Sequence, residues 1–138
     1  MAQLPWMPLA ERAGRVLIVD DDPDIREVIS MVLREEGFET TEARNGLQAL
    51  RILQSEDARA DVVLLDLMMP TMDGFHLRML MRADPSLHEI PIIVMTAHAG
   101  VLAAQQGVAE PQPVLRKPLN FEALVKTVSE TVAFSRAS

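Results

Sequence analysis

No cysteine occurs in this 138-residue chain, which removes disulfides, thiolate nucleophiles and zinc–thiolate sites together. No apolar run approaches the roughly 20 residues that a membrane-spanning helix needs. The N-terminus has no basic stretch followed by an apolar core, so it does not read as a secretory signal. A cytoplasmic location with no membrane partner is the expectation. Basic residues are also scarce, 13 against 20 acidic, for a net charge of −7. A surface of that sign repels a phosphate backbone, and on that ground nucleic acid is not expected as a direct partner.

What is present is an ordinary globular balance, 49% hydrophobic and 24% charged, and a length that fits one domain. A chain of this size buries roughly two-thirds of its unfolded surface. Residues 1–14 contain prolines and no periodicity, and read as an extension in which Trp6 packs on the surface. Residues 15–134 alternate strand and helix patterns five times, and 135–138 read as a frayed end. The first strand is Arg15–Val19 and the last Val114–Arg116, with others at 38–43, 61–65 and 91–95. Asp22 can cap a helix that opens with Pro23 and carries Ile25, Val28, Ile29, Val32 and Leu33 on one face. Gly37 ends it. Asn45-Gly46 leads into a helix bearing Leu47, Leu50, Ile52 and Leu53. Gly74 precedes one bearing Phe75, Leu77, Leu80 and Met81. Asn120 can cap a last helix with Phe121, Leu124, Val125, Val128 and Val132 inward. Between Thr96 and Val114, two glycines and two prolines leave room only for a short helix over 101–106. Alternation of this kind predicts an α/β domain with a parallel sheet and helices on both faces.

The strand ends carry the chemistry. Val16-Leu17-Ile18-Val19 stops at Asp20-Asp21, and Val62-Val63-Leu64-Leu65 stops at Asp66. The two remaining apolar strands end at Thr96 and at Lys117. Each residue alone has an ordinary explanation: a helix cap, a loop residue, a turn threonine, a solvated lysine. Together they fall at the carboxyl ends of parallel strands, where open α/β sheets bind ligands. Clustered carboxylates supply hard oxygen ligands for Mg²⁺. Asp66 is also a candidate nucleophile toward phosphorus. Thr96 can hydrogen-bond a phosphoryl oxygen, and Lys117 can neutralise the same group. Phosphoryl transfer needs little beyond such positioning and charge.

Val19-Asp20-Asp21-Asp22, the run from Leu65 to Gly74 (Leu-Asp-Leu-Met-Met-Pro-Thr-Met-Asp-Gly), Met95-Thr96-Ala97 and Leu115-Arg116-Lys117-Pro118-Leu119 resemble the response-regulator receiver domains of two-component signalling. The resemblance spans about residues 15–134. It implies a flavodoxin-like (βα)5 doubly wound sheet in the order 2-1-3-4-5. It further implies that Asp66 is the phosphoacceptor, served by a sensor histidine kinase or a histidine phosphotransfer protein. Asp21, Asp66 and the backbone carbonyl of Met68 would ligate Mg²⁺, with Asp20 acting through water. Thr96 would move toward the phosphoryl group, Lys117 would pair with it, and the Lys117-Pro118 bond would be cis. Such a domain catalyses only its own phosphorylation and dephosphorylation, and a stand-alone one acts on an unknown downstream protein by contact.

The family usually has Tyr or Phe three residues before the lysine; Val114 stands there, so an aromatic in-or-out switch is absent. Response to phosphorylation is then expected in the neighbouring segment of residues 97–112. Met68 and His98 occupy positions that flank the path of attacking water in the family. A phosphatase on the same scaffold needs an acid two residues after the nucleophile, and Met68 in that place argues against one. A degenerate receiver acting as a phosphorylation-independent interaction module is the alternative; the complete set Asp20, Asp21, Asp66, Thr96 and Lys117 stands against it. His76 and His88 lack metal-ligand spacing and are expected on the surface.

Overall fold

The computed structural model describes residues 14–55, 60–67, 74–97 and 113–137. Five strands form one parallel sheet in the order β2-β1-β3-β4-β5. They are β1 (Arg15–Val19), β2 (Glu39–Ala43), β3 (Val62–Asp66), β4 (Ile92–Thr96) and β5 (Val114–Arg116). The described helices are α1 (Pro23–Glu35), α2 (Gly46–Gln54), α3 (Gly74–Ala83) and α4 (Phe121–Ala137). The sheet order and the flavodoxin-like α/β architecture are those expected.

The central strands are buried on both faces, and their period-two alternation splits the core in two. Leu17, Val19, Val63, Leu65 and Val94 join Ala49 and Leu53 of α2 and Leu77 and Met81 of α3. Val16, Ile18, Val62, Leu64 and Ile93 join Ile29 and Leu33 of α1 and Leu124, Val128 and Val132 of α4. Each face thus receives every second residue of the same strands. Leu64 is fully buried in the central strand, where truncation to Ala costs about 2–5 kcal/mol. The edge strand β2 reads Glu-Thr-Thr-Glu-Ala and buries only Ala43.

Local chemistry sets the helix ends. The Asp22 carboxylate accepts hydrogen bonds from the amides of Asp24 at 2.9 Å and Ile25 at 3.4 Å, and Pro23, which has no amide to satisfy, opens the helix. At the other end Gly37 adopts φ 93°. Its amide reaches the Arg34 carbonyl and the Phe38 amide reaches Leu33, a paired closure that needs the left-handed backbone glycine tolerates. Asn45 caps α2 through the Gln48 amide at 2.8 Å, while the Gln48 side chain reaches back to the Arg44 amide at 2.8 Å. Asn120 caps α4 through Ala123 at 3.1 Å.

Some expectations shift. Strands β3 and β4 each run one residue further than the apolar pattern indicated, so Asp66 and Thr96 are last residues of strands, with their backbones fixed by the ladder. Helix α4 continues to Ala137, so Ser135–Ala137 extends that helix in place of a frayed end. Val28, Leu47 and Phe121, expected on inward faces, are exposed. A helix facing a sheet buries a narrow stripe, and each of these residues lies at its margin. Trp6, the helix expected over 101–106 and the rest of residues 98–112 lie outside the described residues.

Candidate functional site: a carboxylate cluster bridged by lysine

Strand β1 ends one residue before Asp20. The Asp20 amide still donates to the Ala43 carbonyl at 3.1 Å, carrying the β1–β2 pairing one step past the strand. Its side chain is completely buried. One carboxylate oxygen accepts from the Asp22 amide at 3.0 Å and the other from Lys117 Nζ at 2.7 Å. Its backbone carbonyl accepts from Arg26 Nη1 at 2.6 Å. Asp20 is therefore held by four different groups. Asp21, next to it, is exposed.

Asp66 closes β3 opposite Met95, and its Oδ2 lies 3.2 Å from Lys117 Nζ. Thr96 closes β4 and is buried. The Lys117 amide donates to the Thr96 carbonyl at 3.0 Å, which anchors the lysine beside the threonine, and the following Lys117-Pro118 bond is cis, as expected. The chain after Asp66 returns at Gly74, whose amide donates to the Leu67 carbonyl at 3.0 Å. A Cβ at position 74 would lie 2.6 Å from both the Asp66 carbonyl oxygen and Leu67 Cα. Only glycine allows α3 to begin that close to the end of β3.

Asp20, Asp21 and Asp66 each place a carboxylate oxygen within 4.8 Å of the others. Lys117 bridges the two buried ones. Burial pulls the lysine pKa down, but the hydrogen bonds and charges of Asp20 and Asp66 outweigh it, and the net shift is upward. The ammonium therefore stays charged. Three carboxylates against one ammonium leave a surplus of two negative charges in an all-oxygen donor set, the charge and donor chemistry that a hard divalent cation such as Mg²⁺ fits.

Of the residues singled out in the sequence, the structure brings Asp20, Asp21, Asp66 and Lys117 together, with Thr96 joined through the Lys117 backbone. Met68 and His98 lie outside the described residues. Val114 is exposed on β5, and His76 and His88 are exposed. Arg26 was missed. Its signal was present, a basic residue on the first turns of α1 with an acidic residue, Glu42, on the adjacent strand, but a helical arginine ordinarily reads as solvated.

The family model of the response regulator receiver domain matches residues 16–129, and the chain belongs to that family. DNA-binding response regulator MtrA of Mycolicibacterium smegmatis is 45% identical over 83 residues, 60% of this chain and 34% of that protein. MtrA of Mycobacterium tuberculosis is 37% identical over 118 residues, 83% of this chain and 48% of that protein. The chain thus spans half or less of the length of these relatives. Among solved structures, chemotaxis protein CheY4 of Vibrio cholerae aligns with a TM-score of 0.77 and 34% identity, over 86% of this chain and 98% of that one. The signal receiver domain of a histidine kinase from Syntrophus aciditrophicus aligns with a TM-score of 0.79 and 29% identity, over 91% and 94%.

These relatives correct one expectation. Net charge argued against nucleic acid, yet relatives matched over most of this chain are named DNA-binding. The inference failed because the charge of one domain does not speak for the rest of a protein, and the matched stretch is under half of each of these relatives.

Proposed function

We propose that this domain accepts a phosphoryl group on Asp66 in a Mg²⁺-dependent reaction, the donor being a phosphohistidine of a sensor kinase or phosphotransfer protein. The observation that carries this reading is the single ammonium shared by two buried carboxylates, Asp20 and Asp66, at the carboxyl edge of the sheet. Asp21 and Asp66 would hold the cation by their side chains, and Asp20 through water. The Met68 carbonyl, outside the described residues, would complete the set. When bound, the cation supplies positive charge that offsets the repulsion between an incoming phosphoryl group and the carboxylates.

The protein's own groups then act as follows. An Asp66 carboxylate oxygen attacks phosphorus, and an O–P bond forms as the donor's N–P bond breaks. The bonding pair leaves with the imidazole nitrogen, so no oxidant or further reactant is needed. Lys117 already touches Asp66 Oδ2 and stays charged, so it can pair with the transferred group. The Thr96 hydroxyl donates to a phosphoryl oxygen. Beyond this self-phosphorylation and its hydrolysis the domain turns over no substrate, and its phosphoryl state is read by protein contact.

The test is exposure to acetyl phosphate with and without Mg²⁺, followed by intact mass. One phosphoryl adduct that needs Mg²⁺ and is lost in Asp66→Asn is the expected result. An adduct retained in Asp66→Asn overturns the assignment, and no reaction at all favours the phosphorylation-independent module.

A further inference from the structure

Strand β1 hands over to α1 through a turn whose carbonyls lose their ladder partners. The Asp20 carbonyl is the critical one. Residue 20 is completely buried, and Pro23, just ahead at the helix start, has no amide to offer. A buried carbonyl left unpaired costs about 1–3 kcal/mol. Arg26 fills the gap: it turns back from α1, and its Nη1 lies 2.6 Å from the Asp20 oxygen. Its Nε lies 3.3 Å from Glu42 Oε1 on β2. The guanidinium thus spans helix and strand, with a side chain only 15% exposed.

The peptide whose carbonyl Arg26 holds is the Asp20–Asp21 peptide. Fixing that plane fixes where the Cα of Asp21 sits and in which direction its exposed carboxylate leaves the backbone. No hydrogen bond or ion pair of the Asp21 side chain is seen among the described residues, whereas both Asp20 oxygens are engaged. The aim of Asp21 therefore depends on its backbone. The charge of the strut matters as well. A bare guanidinium beside the carboxylates would repel a divalent cation, and Glu42 offsets it.

We infer that Arg26 is a positioning residue for the metal site: through the Asp20 carbonyl it aims Asp21, and through Glu42 it does so without adding net positive charge. The inference rests on the proposed Mg²⁺ role of Asp21. Groups one step behind metal ligands typically contribute about 10–100-fold to metal affinity.

Calorimetric titration with Mg²⁺ of wild type, Arg26→Met, Arg26→Lys and Asp21→Asn tests it, alongside melting in a chelator. Arg26→Met should raise the Mg²⁺ dissociation constant about tenfold. The Mg²⁺ concentration that half-saturates the acetyl phosphate reaction should rise by the same factor. Arg26→Lys, which keeps a single donor nitrogen and the charge but not the planar fork, should fall between, and it carries the test if Arg26→Met does not fold. Unchanged Mg²⁺ affinity in a folded Arg26 variant overturns the inference while the Mg²⁺ reading stands. A wild type that binds no Mg²⁺, or an Asp21→Asn protein that binds it equally well, overturns both.

Discussion

Lys117 lies closer to Asp20 than to Asp66: its ammonium is 2.7 Å from one carboxylate oxygen and 3.2 Å from the other. The tighter contact is with the residue that is completely buried, so the lysine acts first as the counter-ion of Asp20. Lys117→Met leaves that carboxylate with the Asp22 amide as its remaining side-chain partner. We predict a loss of about 2 kcal/mol of stability in chelator, the scale of a hydrogen bond to a charged group. Mg²⁺ should bind more tightly to this variant, since a competing cation is gone. Denaturant melts with and without Mg²⁺ check both, and equal or weaker Mg²⁺ binding would show that the lysine does not compete.

Gly74→Ala should be among the costlier single-atom additions to the domain. The new Cβ meets the Asp66 carbonyl oxygen and Leu67 Cα at 2.6 Å, and both are backbone atoms that cannot rotate away. Overpacking of this kind costs about 1–3 kcal/mol. The strain falls on the strand end that carries Asp66, the proposed acceptor, so phosphoryl uptake at saturating Mg²⁺ should slow as well. A stable variant with wild-type uptake would mean that α3 shifts freely against β3.

Mg²⁺ should raise the melting temperature with concentration, because a ligand bound only by the folded state stabilises by mass action, about 2.7 kcal/mol at a hundredfold excess over its dissociation constant. Asp21→Asn should flatten that rise. Its own melting temperature in chelator should match or exceed that of wild type, since one of three mutually repelling carboxylates is neutralised. A full Mg²⁺ response in Asp21→Asn would move the cation elsewhere.

The turn from α3 to β4 carries an acid-sensitive contact away from the site. The Asp84 carboxylate accepts from the Ser86 hydroxyl at 2.7 Å and the Ser86 amide at 2.8 Å. The hydroxyl contact first and the amide contact second hold the Asp84 pKa below its ordinary value of 3.8. A carboxylate with a folded pKa below its unfolded one contributes stability that is present above the unfolded value and lost as pH falls through the folded one. The stability difference between wild type and Asp84→Asn should therefore be constant near neutrality and shrink below about pH 4. A difference that does not change with pH would assign it to the backbone of the turn.

How much of this was legible depended on the distance over which each feature is decided. Val16 to Val19 and Val62 to Leu65 announced doubly buried strands by their unbroken apolar character. Asp22-Pro23, Gly37 and Asn45 announced helix ends, because capping is settled within a few residues. The inward faces were read less well at Val28, Leu47 and Phe121, since periodicity gives the direction of a stripe and not its width.

Sequence alone determined which residue types stand at the strand ends, and hence an oxygen-rich donor set that suits the proposed phosphoryl chemistry. It did so because strand length and polarity are local properties. Only the tertiary structure decided that Asp20 is buried and Asp21 exposed, although the two are adjacent and chemically identical. Only it decided that one ammonium serves Asp20 and Asp66 across separations of 97 and 51 residues, and that Arg26 turns back onto the Asp20 carbonyl. The reason is that the sheet order sets β1 beside β3 and β3 beside β4. Distance, burial and charge balance at their shared edge come from that pairing, which no window along the chain contains.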